Sequence, residues 1–163
     1  MQSLTFTPGR AFLSSDSHTV PWTAVFEDEG VAGYFYACDR SQQNHDQSIL
    51  DAMLIYNVSA LARDNVSALA RDNVSALAAG EGGEAKQRIA SRRIASIEWS
   101  RDGMKAVLYL DGVAQAMFDF AARCGYCRSN FPNFLAEQGE NWNRSSHAWS
   151  DAAFQQFEAA LYV

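Results

Sequence analysis

Lysine is scarce in this chain. Only Lys86 and Lys105 occur in 163 residues, and 13 basic against 19 acidic side chains leave a net charge of −6. Neutralising phosphates takes clustered Lys and Arg, so duplex DNA or RNA is not an expected partner. Cysteine is also sparse: three residues, an odd number, fit a reducing compartment better than a disulfide framework. No stretch approaches the ~18 uninterrupted apolar residues of a membrane-spanning helix. The opening MQSLTFTPGR lacks the basic region and apolar run of a signal peptide. A cytoplasmic location with no membrane partner is the expectation. Without export, the Asn-x-Ser patterns at Asn57, Asn65, Asn73 and Asn143 are not glycosylation sites. P-loop, GxGxxG, HExxH and GxSxG motifs are all missing, which removes the commonest phosphate, dinucleotide, zinc-protease and serine-hydrolase signatures.

The composition that remains is globular. Hydrophobic residues make up 48% and charged ones 20%, a balance that supports a packed core rather than disorder. The length points to a single domain spanning 1–163, burying about 70% of its unfolded surface and needing no metal or disulfide to fold. Ten Phe, six Tyr and four Trp are the aromatic supply of β-rich cores and contact surfaces.

Strand signals dominate. In PWTAVFEDEGVAGYFYACD (Pro21 to Asp39), two aromatic and β-branched runs flank Glu27, Asp28, Glu29 and Gly30, as in a hairpin. In IEWSRDGMKAVLYLDGVAQAMFDF (Ile97 to Phe120), Asp102-Gly103 and Asp111-Gly112 punctuate three short strands. A further strand is expected at Met53–Val58 and an N-terminal one at Leu4–Thr7. Ser150 can cap a helix in which Phe154, Phe157 and Leu161 recur on one face. A short helix is also expected from Asp46, with Ile49, Leu50, Met53 and Leu54 on one side, giving way to strand at Ile55. Residues 125–149 read as a long ordered loop. The fold class is therefore α+β: a mainly antiparallel sheet of hairpins and meander, with a C-terminal helix packed on it.

One segment breaks this pattern. NVSALARD runs from Asn57 to Asp64, again from Asn65 to Asp72, and NVSALAA follows from Asn73; RIASR at Arg88–Arg92 is followed by RIAS from Arg93. Perfect copies this short indicate recent tandem duplication, natural or artificial, not a solenoid. An eight-residue period rotates each copy by about 80° on a helix, so no continuous apolar stripe survives. Residues 57–93 read as an insertion or loop between two strands.

Chemistry-bearing residues are few. Cys124-Gly125-Tyr126-Cys127 is a CxxC, but no helix pattern follows it to depress a thiol pKa. Zinc would need a second short-spaced ligand couple, and Cys38, His18, His45 and His147 supply none. Arg128 follows the CxxC. His147 lies between Trp142 and Trp149, near Ser145, Ser146 and Asp151, without the dispersed arrangement a Ser-His-Asp set ordinarily has. Glu27, Asp28 and Glu29 form an acidic turn that keeps sheet edges apart or meets a cation. The candidate binding residues are thus Glu27, Asp28, Glu29, Tyr126, Cys127, Arg128, Trp142, His147 and Trp149, with no metal or cofactor assigned.

The blocks PWTAVFEDEGVAGYFYACD, ILDAMLIYNV, IEWSRDGMKAVLYLDGVAQAMFDF and GYCRSNFP resemble the signature blocks of a family of uncharacterised small bacterial proteins, a domain of unknown function. The resemblance runs from about Pro21 to Asp151 and is interrupted at 59–93. It covers Cys127 and Arg128 but not Cys124, and implies a bacterial, cytoplasmic, single-domain protein without assigning an activity. Function is read in two ways. The first is a protein-binding module of interaction or immunity type, acidic and suited to a basic protein partner, with a homodimer expected from an open sheet edge. The alternative is a small hydrolase or metal-dependent enzyme with His147, Cys127, Arg128 and the Glu27–Glu29 carboxylates in one cleft.

Overall fold

The alternating aromatic stretches fold into two facing antiparallel sheets. In the computed structural model, residues 1–41, 49–57, 92–129, 142 and 147–162 are described. Among these described residues, nine strands and one helix follow in order: β1 (Gln2–Phe6), β2 (Ala11–Asp16), β3 (Trp22–Asp28), β4 (Ala32–Asp39), β5 (Ile49–Asn57), β6 (Arg93–Trp99), β7 (Lys105–Leu110), β8 (Val113–Asp119), β9 (Cys124–Cys127) and α1 (Asp151–Leu161). One sheet runs β1-β6-β7-β8-β9 and the other β2-β3-β4-β5. The architecture is α+β and mainly antiparallel β.

The core lies between the sheets. Phe26, Phe35, Met53 and Ile55 from one sheet meet Ile97, Leu108, Ala116 and Phe118 from the other. Phe35 stacks on Phe118 with centroids 4.9 Å apart, and Trp22 on Phe120 at 4.9 Å. Offset aromatic pairs of this kind add ~0.5–1.5 kcal/mol beyond their area burial. A second, smaller core fills the outer face of the five-stranded sheet, where Val107, Ala114 and Met117 receive Phe157 of α1. Ser150 caps that helix, its hydroxyl accepting from Ala153 N at 3.1 Å. The layers are therefore sheet, sheet, helix.

Turn chemistry fixes the registers. Asp111 and Gly112 both take positive φ (52° and 82°), as a tight I′-type hairpin requires. The Asp111 carboxylate reaches back to β6, accepting from Ile94 N and Arg93 Nε at 2.9 Å each. This anchors the second RIAS copy, Arg93–Ser96, as the start of β6. At Gly33 an added Cβ would lie 2.5 Å from the Tyr56 ring, so only glycine lets that ring cross the sheet.

Three expectations need correcting. Ile49, Leu50, Met53 and Leu54 belong to β5 and not to a helix from Asp46, because pairing with β4 runs from Asn57 to Ile49 and buried Met53 and Ile55 alternate. Residues 42–48 lie outside the described set. β2 was not expected at all. The 125–149 loop opens instead with β9, bridged in parallel at Cys127 to Ala148. Asn57 and Arg93 end β5 and begin β6; the remaining repeats, 58–91, lie outside the described residues.

Truncating the buried anchor of α1, Phe157→Ala, is expected to destabilise the fold by about 3–5 kcal/mol in urea denaturation, the usual cost of deleting a buried ring.

Candidate functional site

An acidic side chain sits where the core should be apolar. Asp51 precedes Met53 and Ile55 on the inward face of β5 and is fully buried. Its Oδ2 lies 2.8 Å from His147 Nε2, while its Oδ1 accepts from Ala52 N at 3.0 Å. His147 is 3% exposed. Two such groups persist inside a protein only as a pair. Gly125 of β9 makes the approach possible: a Cβ there would stand 3.0 Å from Asp51 Oδ2, His147 Cδ2 and Met53 Sδ. The backbone completes the join, with Cys127 N donating to His147 O at 2.6 Å.

The neighbouring candidates divide between the two sides of the five-stranded sheet. Cys127 points into the main core, its Sγ 2.9 Å from Ser129 Oγ, and Ser129 donates on to Leu54 O at 2.9 Å. Arg128 lies toward the helix: its Nε donates to Ala114 O at 2.6 Å and its guanidinium covers the Trp149 ring at 4.1 Å. Arg128 N also donates to Gln115 O, so both carbonyls at an irregularity of β8 are satisfied by one residue. Trp149 bonds Asp151 and packs on Phe154. Trp142 packs edge-on against Phe118 and Phe120. Tyr126 joins the helix-side core, and burial followed by the neighbouring Cys124 pushes its phenol up.

Because β9 is extended, Cys124 and Cys127 face opposite sides, and three residues of strand separate their Cα atoms by roughly 10 Å. A disulfide cannot span that distance. None of the three cysteines is in a disulfide. Among the described residues, no group of three or more His, Cys, Asp and Glu side chains is arranged to hold a metal ion.

The acidic turn lies elsewhere. Asp51 shares a row with Ala37 and Ala24, whereas Asp28 shares one with Gly33 and Tyr56. Four strand positions, roughly 13 Å, separate these rows. Asp28 is buried and structural, accepting from Gly30 N at 2.6 Å and Gly9 N at 3.3 Å. The buried Tyr56 hydroxyl faces Asp28 without a well-formed hydrogen bond among the described residues; burial and that carboxylate push the phenol well up. Glu27 instead belongs to the outer face of the four-stranded sheet. Tyr34 pairs with it across the strands, and Tyr36 lies beside it. The two rings stack 5.9 Å apart, and burial together with Glu27 raises the Tyr36 phenol far above its ordinary value. Exposed Phe12 is the Glu27 neighbour on β2. Glu29 is exposed at the turn. His45, Ser145 and Ser146 lie outside the described residues.

Asp51 is the residue that motif reading overlooked. The signal was present in ILDAMLIYN: alternation places Asp51 on the face of Met53 and Ile55, where an acid requires a partner.

A two-sheet, mainly antiparallel β-protein with a helix on the outer face of one sheet and a buried acid–histidine clasp is thus the class that the described residues define. The sequence model of the family described as uncharacterized protein conserved in bacteria (DUF2251) matches residues 6–71 and 83–158, and the chain belongs to that family. An uncharacterized protein of Haemophilus influenzae is 30% identical over 111 residues, covering 68% of this chain. The chain spans about half (52%) of that relative's length. No solved structure matches.

Burial raises the Cys38 thiol to about 11, and Cys127 is fully enclosed. Thiol titration of the native protein at neutral pH is therefore expected to report Cys124 quickly, Cys38 slowly and Cys127 only after unfolding. Mild oxidation should leave the monomer's mass without the loss of two hydrogens that an internal disulfide causes.

Proposed function

We propose that this protein is a small cytoplasmic binding module, of interaction or immunity type, that takes a basic protein partner on the outer face of its four-stranded sheet. One observation carries this reading. Helix α1 covers the outer face of the five-stranded sheet, whereas the opposite outer face presents stacked Tyr34 and Tyr36 beside Glu27, with Phe12 exposed next to them. A carboxylate against aromatic rings is the environment that receives an arginine or lysine, through a charge-assisted hydrogen bond and a cation–π contact together. The net charge of −6 adds attraction at longer range. The polar groups around His147 are engaged within the protein: Asp51 by His147, Arg128 by carbonyls and Trp149, Cys127 by Ser129.

A small hydrolase or metal-dependent enzyme is the second reading. It is supported by the 2.8 Å Asp51–His147 pair near Cys127, a pairing of the type that orients a catalytic imidazole. Burial of both partners, and the opposite directions taken by Cys127 and Arg128, weigh against it.

Titration with an arginine-rich peptide, with a glutamate-rich peptide of equal length as control, tests the binding face. The double variant Glu27→Gln, Tyr36→Ala is expected to weaken arginine-peptide binding about tenfold. Glu158→Gln, an exposed change on α1, should leave it unchanged. Equal loss in both variants would assign the binding to net charge alone and overturn the proposed face.

A further inference from the structure

The two sheets each end in an unpaired edge on the same flank of the molecule. Among the described residues, β1 pairs only with β6, and β2 only with β3. Residues 7–10 join the two edges at one end. Between them opens a cleft of about 450 Å³ floored by Ile97 and Trp99 and walled by Gln2, Ser14 and Ser15. Trp99 Nε1 donates to Ser15 Oγ at 2.9 Å across it, so the flank is braced rather than frayed.

Natural edge strands are protected by lysine, proline, bulges, inward-pointing charge or a covering segment. The opposite flank has such protection: β9 is bridged at Cys127 to Ala148, and β5 departs from regular register with β4 at two points. Neither β1 (QSLTF) nor β2 (AFLSSD) has a lysine, a proline or a register shift. The charge on these strands is Asp16 alone, and it is neutralised by Arg40 at 3.2 Å while accepting from Thr23 Oγ1 at 2.6 Å. With Asp16 paired, β1 and β2 themselves set no unpaired charge against a second copy, while His18 and Arg101 also line the cleft. Ser3, Thr5, Phe12 and Ser14 are exposed along it, and Phe12 retains 63% of its surface.

We propose that β1 and β2 form a homodimer interface in which both sheets continue into a second copy. A two-fold axis normal to the sheets sets β1 against the partner's β1 and β2 against the partner's β2. Both pairings are antiparallel and isologous. The backbone groups of both edges then find partners, and the exposed hydroxyls and Phe12 meet outward-facing residues of the partner's same strands, residue i against j and j against i, the cross-strand pairs that stabilise a sheet. Phe12 borders both this edge and the Glu27–Tyr36 face, but sedimentation reads only the edge pairing, so failure of the dimer would leave the basic-partner face standing.

Sedimentation equilibrium at micromolar chain concentration is the test. The expected result is twice the chain mass of 18.0 kDa for the wild type. The variant Ser3→Lys, Ser14→Lys should sediment as a monomer with an unchanged circular dichroism spectrum, since both positions are exposed. Hydrogen exchange should show residues 2–6 and 11–16 gaining protection as wild-type concentration rises. A wild-type monomer, a lysine variant that still dimerises, or a dimer whose β1 and β2 amides exchange independently of concentration would each overturn the proposal.

Discussion

A single buried pair, Asp51 with His147, sets the conditions under which the rest of the molecule can close. Leaving either group unpaired inside the core would cost several kcal/mol, so the segment that begins at His147 is held against β5. Once there, Ala148 lies alongside Cys127 and shields the β9 edge. Trp149 slides beneath the Arg128 guanidinium, Ser150 caps α1, and Phe157 reaches the outer face of the five-stranded sheet. Gly125 is the steric counterpart of this arrangement, since a Cβ there would stand 3.0 Å from both members of the pair and crowd them.

This view redistributes the residues that look chemical. Arg128, Cys127, Trp142 and His147 lie close in sequence and invite an active-site reading, but each is engaged in holding two layers together. The two surfaces proposed for recognition lie elsewhere. One is an aromatic and acidic face suited to a cationic partner; the other is a flank of low charge suited to a second copy. The two surfaces meet at Phe12, the β2 neighbour of Glu27. Membership of a bacterial family described only as uncharacterized fits either use and dictates neither.

Much of the fold was legible because turn chemistry and alternation agreed. Asp111-Gly112 announced a tight hairpin and formed one; the runs around Glu27–Gly30 became β3 and β4; Ser150, Phe154, Phe157 and Leu161 marked α1. β2 escaped because its inward face, Ala11, Leu13 and Ser15, is hardly more apolar than its outward face, Phe12, Ser14 and Asp16. β5 was half misread because Ile49, Leu50, Met53 and Leu54 satisfy helical spacing as well as strand alternation, and only pairing with β4 decides between them. The candidate site was legible only in part. His147 stood out as a lone histidine between tryptophans, but its partner is 96 residues distant and no local pattern links them.

The claim on which this account rests is that Asp51 and His147 act as one structural unit. A double-mutant cycle by urea denaturation, using Asp51→Ala, His147→Ala and the double variant, measures it directly. Each single change should cost about 3–5 kcal/mol, because the remaining partner is stranded in the core. The double variant should cost less than the sum by about 2 kcal/mol or more. Additive losses, with a coupling below about 0.5 kcal/mol, would contradict the account and release both residues for another role.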